Sequence, residues 1–155
     1  MTITAIIILV AYLTYACVKT HGIPECLSDT AYTVGKPIFA LTMAVICGLL
    51  WFPMLEATAE EWQFLVFMSL AGVMAMAVSP YKDDMINHTI HYAGTTLAML
   101  CVLLLWLTKG KYQIPVVVFT FGIVSPCMTR RWLLIVELMM FASAFIYSID
   151  KFTYS

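Results

Sequence analysis

Long apolar segments separated by short polar ones run along the whole sequence. A helix needs about 20 apolar residues to cross the roughly 30 Å hydrocarbon core of a bilayer. Segments of about ten residues with alternating polarity, which a transmembrane barrel needs, do not occur in the sequence. The pattern therefore predicts an all-α, polytopic membrane protein with about six transmembrane helices. The predicted spans are residues 2–18, 37–55, 60–78, 88–107, 112–124 and 131–149.

Residues that favour helix ends support several of these boundaries. Pro37 is suited to the first turn of the second span. Thr58 and Glu61 have the spacing of a capping box, which predicts that the third span begins near Ala59. Four tryptophans lie close to predicted span ends, as is typical of side chains at the membrane–water interface. These residues are Trp51, Trp62, Trp106 and Trp132.

Composition agrees with the membrane class. Of the 155 residues, 63% are apolar and 11% are charged, and the mean hydropathy is +0.94. A soluble domain carries about 25% charged residues, so a soluble monomer is excluded. A net charge of −1 without a basic run also excludes a nucleic-acid-binding protein. We expect one transmembrane helical domain, residues 1–155, folded as a single compact bundle.

The order of the spans assigns the loops to two faces of the membrane. The first span has no basic residue before it and no small-residue cleavage site after it, so we expect a retained helix rather than a signal peptide. Loops one, three and five then share one face, which carries more Lys and Arg and is therefore favoured as the cytoplasmic side. The basic residues are Lys19, Lys36, Lys82, Arg130 and Arg131 on that face, and Lys109, Lys111 and Lys151 on the other.

The cysteines do not define a metal or disulfide framework. Their number is odd and no C-x-x-C spacing occurs. Cys26 and Cys127 fall on the same predicted face, and a disulfide between them would require that face to be extracytoplasmic. The sequence leaves this pairing open.

Polar chemistry gathers on the face of loops one, three and five. Asp84, His88 and His91 have i, i+4, i+7 spacing, which places them along one side of a helix. Two imidazoles and a carboxylate are suitable ligands for a divalent metal such as zinc, with Glu25 or Asp29 completing the set. The same imidazoles are suited to acid–base chemistry near neutral pH.

A structural interpretation accounts for the same residues. Asn87 would cap the fourth span, Asp84 would lie near the positive end of that helix, and His88 would face lipid headgroups. His91, one turn into the span, would make a hydrogen bond between helices, because an unpaired polar group in hydrocarbon costs several kcal/mol. Gly94 would allow another helix backbone to approach closely.

Two charged residues of the last span complete the candidate site. Glu137 lies inside the predicted span, about 9 Å along the helix from Arg131. Intramembrane carboxylates need a partner and are functional candidates, and we expect His91 to be that partner. A protonated state or a hydrogen bond to a tyrosine or threonine is the alternative. Arg131 either contacts lipid phosphate or anchors the topology.

Two short motifs resemble a known family. Residues 24–30 read PECLSDT directly after the first span, and residues 90–94 read IHYAG at the start of the fourth. They are similar to P-x-x-S-D-T-G and V-H-x-x-G-A motifs of the DRAM/Frag-like group, six-helix membrane proteins that include damage-regulated autophagy modulators and relatives in GPI-lipid handling. The chain also resembles short bacterial and phage membrane proteins.

The match to the DRAM/Frag-like motifs is incomplete. Here Pro24 lies one residue further from Ser28, Ala31 replaces the family glycine, and Thr95 replaces the alanine after the glycine of the second motif. The relatives are longer. Their first loop faces the lumen or exterior, whereas the Lys and Arg count here favours a cytoplasmic first loop. The resemblance implies a lipid-facing or membrane-modulating role without a defined reaction. The residues that it carries over are Ser28, Asp29, Thr30, His91 and Gly94.

Taken together, these patterns predict a multi-pass integral protein of the bacterial inner membrane, with a polar pocket on one face. We expect the pocket to bind a lipid headgroup, or the protein to modulate the membrane. We expect no cofactor, and the residues favour a binding protein over an enzyme. The expected ligand-binding residues are Ser28, Asp29, Asp84, His88, His91, Arg131 and Glu137.

Two other classes remain open. The first is a metal-dependent intramembrane hydrolase, in which a divalent metal such as zinc is held by Asp84, His88 and His91. The second is a homo-oligomeric pore or interaction subunit. Its small residues would seat helices of neighbouring copies, and the candidates are Gly72, Gly94 and Gly122.

Overall fold

The computed structural model describes residues 1–79, 82–118, 120 and 131–150. Every regular element in these residues is helical. The helices are α1 (Thr2–Thr20), α2 (Thr30–Val34), α3 (Lys36–Glu56), a 3₁₀ turn (Glu60–Trp62), α4 (Gln63–Val78), α5 (Met85–Thr108) and α6 (Trp132–Ile149).

Five of these helical stretches are long and apolar enough to cross a membrane: Thr2–Thr20, Lys36–Glu56, Glu60–Val78, Met85–Thr108 and Trp132–Ile149. The prediction of an all-helical chain with multiple candidate membrane spans is therefore confirmed for the described part of the chain. The remaining predicted span, 112–124, is only partly described, and its residues 113–118 are helical.

The start of one helix and the capping residue of another differ from the sequence prediction. α5 begins at Met85 because Asp84, and not Asn87, is the capping residue. The Asp84 carboxylate accepts hydrogen bonds from the Asn87 backbone N–H at 2.8 Å and from the Asn87 side-chain amide at 2.9 Å. The third span begins at Glu60, as predicted. The predicted capping box is wrong, because the Thr58 hydroxyl donates back to the Met54 carbonyl at 2.6 Å.

α4 and α5 pack at very short range through two glycines. A Cβ built on Gly72 would lie 2.5 Å from the carbonyl oxygen of Gly94, and one built on Gly94 would lie 2.7 Å from that of Gly72. Close backbone approach of this kind requires glycine. Gly72 and Gly94 therefore allow two helices of the same chain to pack closely, whereas the oligomeric interpretation expected helices of neighbouring copies there. The third candidate, Gly122, lies outside the described residues.

Contacts at the helix ends define the two ends of the bundle. The Thr2 hydroxyl lies 2.9 Å from the Ser148 hydroxyl, so α1 begins where α6 ends. Lys109, which follows α5, hydrogen-bonds to the Tyr147 carbonyl at 3.4 Å and to the Asp150 carbonyl. We call this the Lys109 end. The opposite one, formed by residues 21–36, 82–88 and the start of α6, is the loop-one end.

A buried lysine organises the Lys109 end. The Lys109 side chain is only 3% exposed, and its ammonium lies 3.8 Å from the centre of the Tyr147 ring, a cation–π arrangement. Burial lowers the pKa of Lys109. Lys111 pairs with Asp150 at 2.6 Å, and this hydrogen bond lowers the pKa of the Asp150 carboxyl. The charges therefore hold the end of α5 against the end of α6.

Trp106 does not belong to an interfacial belt. It is 1% exposed, and its ring N–H donates to the Ser143 hydroxyl at 2.8 Å. By contrast, Trp51 and Trp62 are each 39% exposed. The prediction that tryptophans near span ends face the membrane surface is therefore wrong for Trp106, because a buried partner on α6 satisfies its polar atom.

Candidate functional site

Loop one folds inward and becomes part of the core. α1 ends at Thr20, and its C-cap residue His21 has a left-handed backbone conformation with φ of 51°. The chain then enters the bundle, where Leu27 and Thr30 are fully buried. The Thr30 hydroxyl lies 2.6 Å from the Tyr12 hydroxyl and donates to the Leu27 carbonyl at 2.5 Å. A polar loop is thus held inside an apolar bundle by specific hydrogen bonds.

Glu137 supplies the acceptors that this buried loop needs. Its carboxylate is reached by the Leu27 backbone N–H at 2.5 Å and by the Ser28 hydroxyl at 3.1 Å. The predicted partner, His91, is wrong. A buried backbone N–H must find an acceptor, and the inward fold of loop one places that of Leu27 against α6. The partner could not be found from sequence, because a backbone N–H leaves no residue-type signal.

His91 instead joins α5 to the end of α4. It is buried, and its Nδ1 lies 3.0 Å from both the Met76 and the Ser79 carbonyl oxygens. The last carbonyls of a helix lack partners within that helix, so a shared Nδ1–H satisfies them. This geometry corresponds to the hydrogen bond between helices considered as the structural interpretation of His91.

Two ion pairs connect loop one to the loop before α5. Lys82 lies 2.5 Å from Asp29, and Lys36 lies 2.6 Å from Asp83. The Tyr32 hydroxyl accepts the Lys82 backbone N–H at 2.6 Å, and both ammonium groups lie over the Tyr32 ring at 5.3 and 5.5 Å. The hydrogen bond to Asp29 raises the pKa of Lys82.

The sequence prediction missed the importance of this set. From the sequence, Lys82 and Lys36 are assigned only to the charge balance between the two membrane faces, and Tyr32 is not singled out. Their role depends on opposite charges from two distant loops meeting in pairs. A sequence signal for these ion pairs does exist: a basic residue stands next to two acidic ones in residues 82–84, and loop one carries a lysine and an aspartate of opposite charge to them.

An open pocket at the loop-one end continues into a shallow groove along α5. Residues of the loop before α5 and of its first turn line the pocket: Lys82, Asp84, Met85 and His88. The groove is lined by His88, Thr89, Tyr92, Ala93, Thr96, Leu97 and Leu100. His88 belongs to both, and its ring packs 4.6 Å from that of Tyr92. The surface is therefore charged at its mouth and mostly apolar along its length.

The predicted site residues divide among several locations at the loop-one end. Asp84 and His88 line the open pocket, and Asp29 reaches it through its ion pair with Lys82. Ser28 and Glu137 are buried beneath it. His91 is turned toward α4, and Arg131 is an exposed residue at the start of α6. The structure brings the loops together without forming one pocket from all seven residues.

The predicted metal ligands do not converge. In the residues that the structure describes, no group of three His, Cys, Asp or Glu side chains is placed to hold a metal ion. Asp84 is engaged as the cap of α5 and His91 as the cap of α4, whereas His88 is exposed. Cys26 is a free, buried thiol, and burial raises its pKa. The pairing with Cys127, which the sequence leaves open, lies outside the described residues.

One enclosed cavity also lies within the described bundle. It measures about 20 Å³ and is lined mainly by apolar side chains of α3 to α6, among them Leu50, Val73 and Phe141, with Ser69 as a polar lining residue. A single water needs roughly this volume but also polar partners. The cavity is therefore a packing space, too small for an organic ligand.

No family model, curated protein or solved structure matches this chain. The function is therefore inferred from the geometry of the chain itself.

Proposed function

We propose that the protein crosses a membrane six times. α5 and α6 both end at the Lys109 end, whereas Glu137, in the first half of α6, contacts loop one at the opposite end. α5 therefore ends, and α6 begins, at opposite ends of the bundle. Residues 113–118, which lie between these helices in the sequence, are helical, and the proposed sixth span includes them. A bacterial inner membrane, as expected from the sequence, is the proposed location.

We further propose that the protein binds a phospholipid along α5, with the headgroup in the open pocket and an acyl chain in the groove. The observation that carries this proposal is the continuity of a charged pocket and an apolar groove at His88. Phosphate would be contacted by His88 and by the Lys82 ammonium, whose side chain is 52% exposed. Ala93, Leu97 and Leu100 would contact the acyl chain.

The length of the groove fits one leaflet of a bilayer. His88 and Leu100 are twelve positions apart, which corresponds to about 18 Å along a helix. Half of the hydrocarbon core is about 15 Å. A headgroup at His88 would therefore place the ends of the acyl chains near Leu100, close to the middle of the bilayer.

The buried carboxylate plays a different part in this proposal. Both oxygens of Glu137 hold loop one, through Leu27 and Ser28. Loop one in turn positions Asp29, which binds Lys82 at the pocket. Glu137 therefore supports the lipid site from beneath and does not contact the lipid.

Native mass spectrometry of the protein released from a mild detergent tests the proposal. Ala93→Trp fills the groove and is expected to remove the retained phospholipid. The matched control is Ala11→Trp, because Ala11 is an exposed alanine on the outward side of α1. Equal lipid retention by the two variants would contradict binding along α5.

A further inference from the structure

The open pocket presents both signs of charge. Lys82 and Asp84 line it together with His88. An anionic headgroup would meet the Asp84 carboxylate as a like charge, whereas a headgroup with a phosphate and an ammonium would meet an opposite charge at each side chain. We propose that the bound lipid is a zwitterionic aminophospholipid, with its phosphate at Lys82 and its ammonium at Asp84; this inference rests on the proposed function.

The Asp84 carboxylate is held in place with acceptor capacity to spare. Asn87 donates one N–H to each of its two oxygens, at 2.8 and 2.9 Å. A carboxylate offers about four acceptor positions. An ammonium can therefore bind to Asp84 without breaking the cap of α5. The carboxylate is exposed at the mouth of the pocket, where a headgroup can reach it.

Hydrogen-bond chemistry favours a primary ammonium over a quaternary one. A primary ammonium carries three N–H donors, which a carboxylate accepts directly. A trimethylammonium group has none and is instead recognised by cages of aromatic rings. Among the residues that the structure describes, those that line the pocket are Lys82, Asp84, Met85 and His88, and these do not form such a cage. Phosphatidylethanolamine is therefore the class that fits.

A competition experiment tests this class of lipid. The protein is exchanged into an equimolar mixture of phosphatidylethanolamine, phosphatidylcholine and phosphatidylglycerol with identical acyl chains, and retained lipids are counted by native mass spectrometry. We expect a preference for phosphatidylethanolamine of about threefold to fivefold, the size expected for one partly exposed ion pair.

Variants of the two charged residues separate their contributions. Asp84→Asn keeps a good helix cap and is expected to abolish the preference while total lipid retention remains. Lys82→Gln is expected to lower retention of all three lipids. Its matched control is Lys36→Gln, which breaks the corresponding ion pair with Asp83 outside the pocket and is expected to change neither quantity.

The possible outcomes distinguish this inference from the proposed function. A preference that survives in Asp84→Asn, or equal retention of the three lipids by the unmodified protein, would overturn the assignment of the headgroup. If Ala93→Trp still removes lipid in that case, phospholipid binding along α5 stands. A preference for phosphatidylglycerol would show that Lys82 and His88 alone determine the headgroup.

Discussion

Replacement of Glu137 tests whether this carboxylate acts as the anchor of loop one. Glu137→Ala removes both acceptors and leaves the buried N–H of Leu27 without a partner. Such an unsatisfied group costs about 1–3 kcal/mol, and the lost packing adds to it, so we expect a loss of roughly 2–3 kcal/mol. Glu137→Gln keeps a carbonyl oxygen for Leu27, and its amide can donate to the Ser28 hydroxyl. We expect that variant to lose about 1 kcal/mol or less.

The thiol of Cys26 reports directly on the release of loop one. It is buried, with 4% exposure, and lies two residues from Ser28. In a variant that retains Cys26 as its only cysteine, maleimide labelling measures how often the loop opens. A loss of 2–3 kcal/mol should accelerate labelling by about 30-fold to 150-fold, and the melting temperature in detergent should fall by roughly 5–10 °C.

Glu25 supplies the matched control, because it is an exposed glutamate in the same loop. Glu25→Ala should label at the rate of the unmodified protein. The anchor role would be refuted if Glu137→Ala left the labelling rate of Cys26 unchanged. If Glu137→Gln opened the loop as fully as Glu137→Ala, charge and not acceptor geometry would be the property that matters.

Three further predictions concern the bundle. Gly72→Ala should lower the melting temperature by several degrees, because its Cβ would meet α5 backbone at 2.5 Å, whereas Gly48→Ala, with no atom within 4 Å, should not; equal effects would contradict the close packing. Asp150→Asn should lower the stability of the protein at neutral pH and progressively less below about pH 4. The hydrogen bond from Lys111 lowers the pKa of Asp150 in the folded protein, so its stabilisation is lost as pH falls through that value. A difference in stability that does not depend on pH would argue against the pair. Trp106→Phe should cost about 2–3 kcal/mol in chemical unfolding, because it removes a buried hydrogen bond and leaves a gap where the larger ring packed. An unchanged stability would contradict the buried contact with Ser143.

Hydropathy was sufficient to predict the helical class, because long apolar segments in a bilayer have few alternatives to helix. Pro37 indeed lies in the first turn of α3. Helix ends were less predictable where a tertiary partner competed with a local cap. Thr58 is the clearest case, since its hydroxyl is 2.9 Å from that of Tyr147, 89 residues away.

The candidate site was predictable in its residues and not in its pairings. Residue type alone singled out Glu137 and His91, because both are polar within predicted spans. Apart from the Ser28 hydroxyl, their partners are backbone groups: the N–H of Leu27 and the carbonyls of Met76 and Ser79. Such backbone groups occur at every position. The inward fold of loop one, which determines these pairings, has no signature in hydropathy.

Three residues of the two short motifs singled out in the sequence, residues 24–30 and 90–94, have structural tasks in this fold. Ser28 binds Glu137, Thr30 binds Tyr12, and Gly94 packs against α4. The motifs therefore describe how loop one and α5 are held, whereas the proposed lipid contacts lie on the neighbouring exposed positions.

Photo-cross-linking in the native membrane tests lipid binding along α5 most directly. A benzophenone amino acid replaces Thr89, which lines the groove beside His88, or Leu41, which is 66% exposed on α3 and serves as the reference for unspecific contact with bilayer lipid. We expect position 89 to yield an adduct with the mass of an intact phospholipid, in clear excess over position 41. Equal yields at the two positions, or no lipid adduct at position 89, would contradict the proposed site.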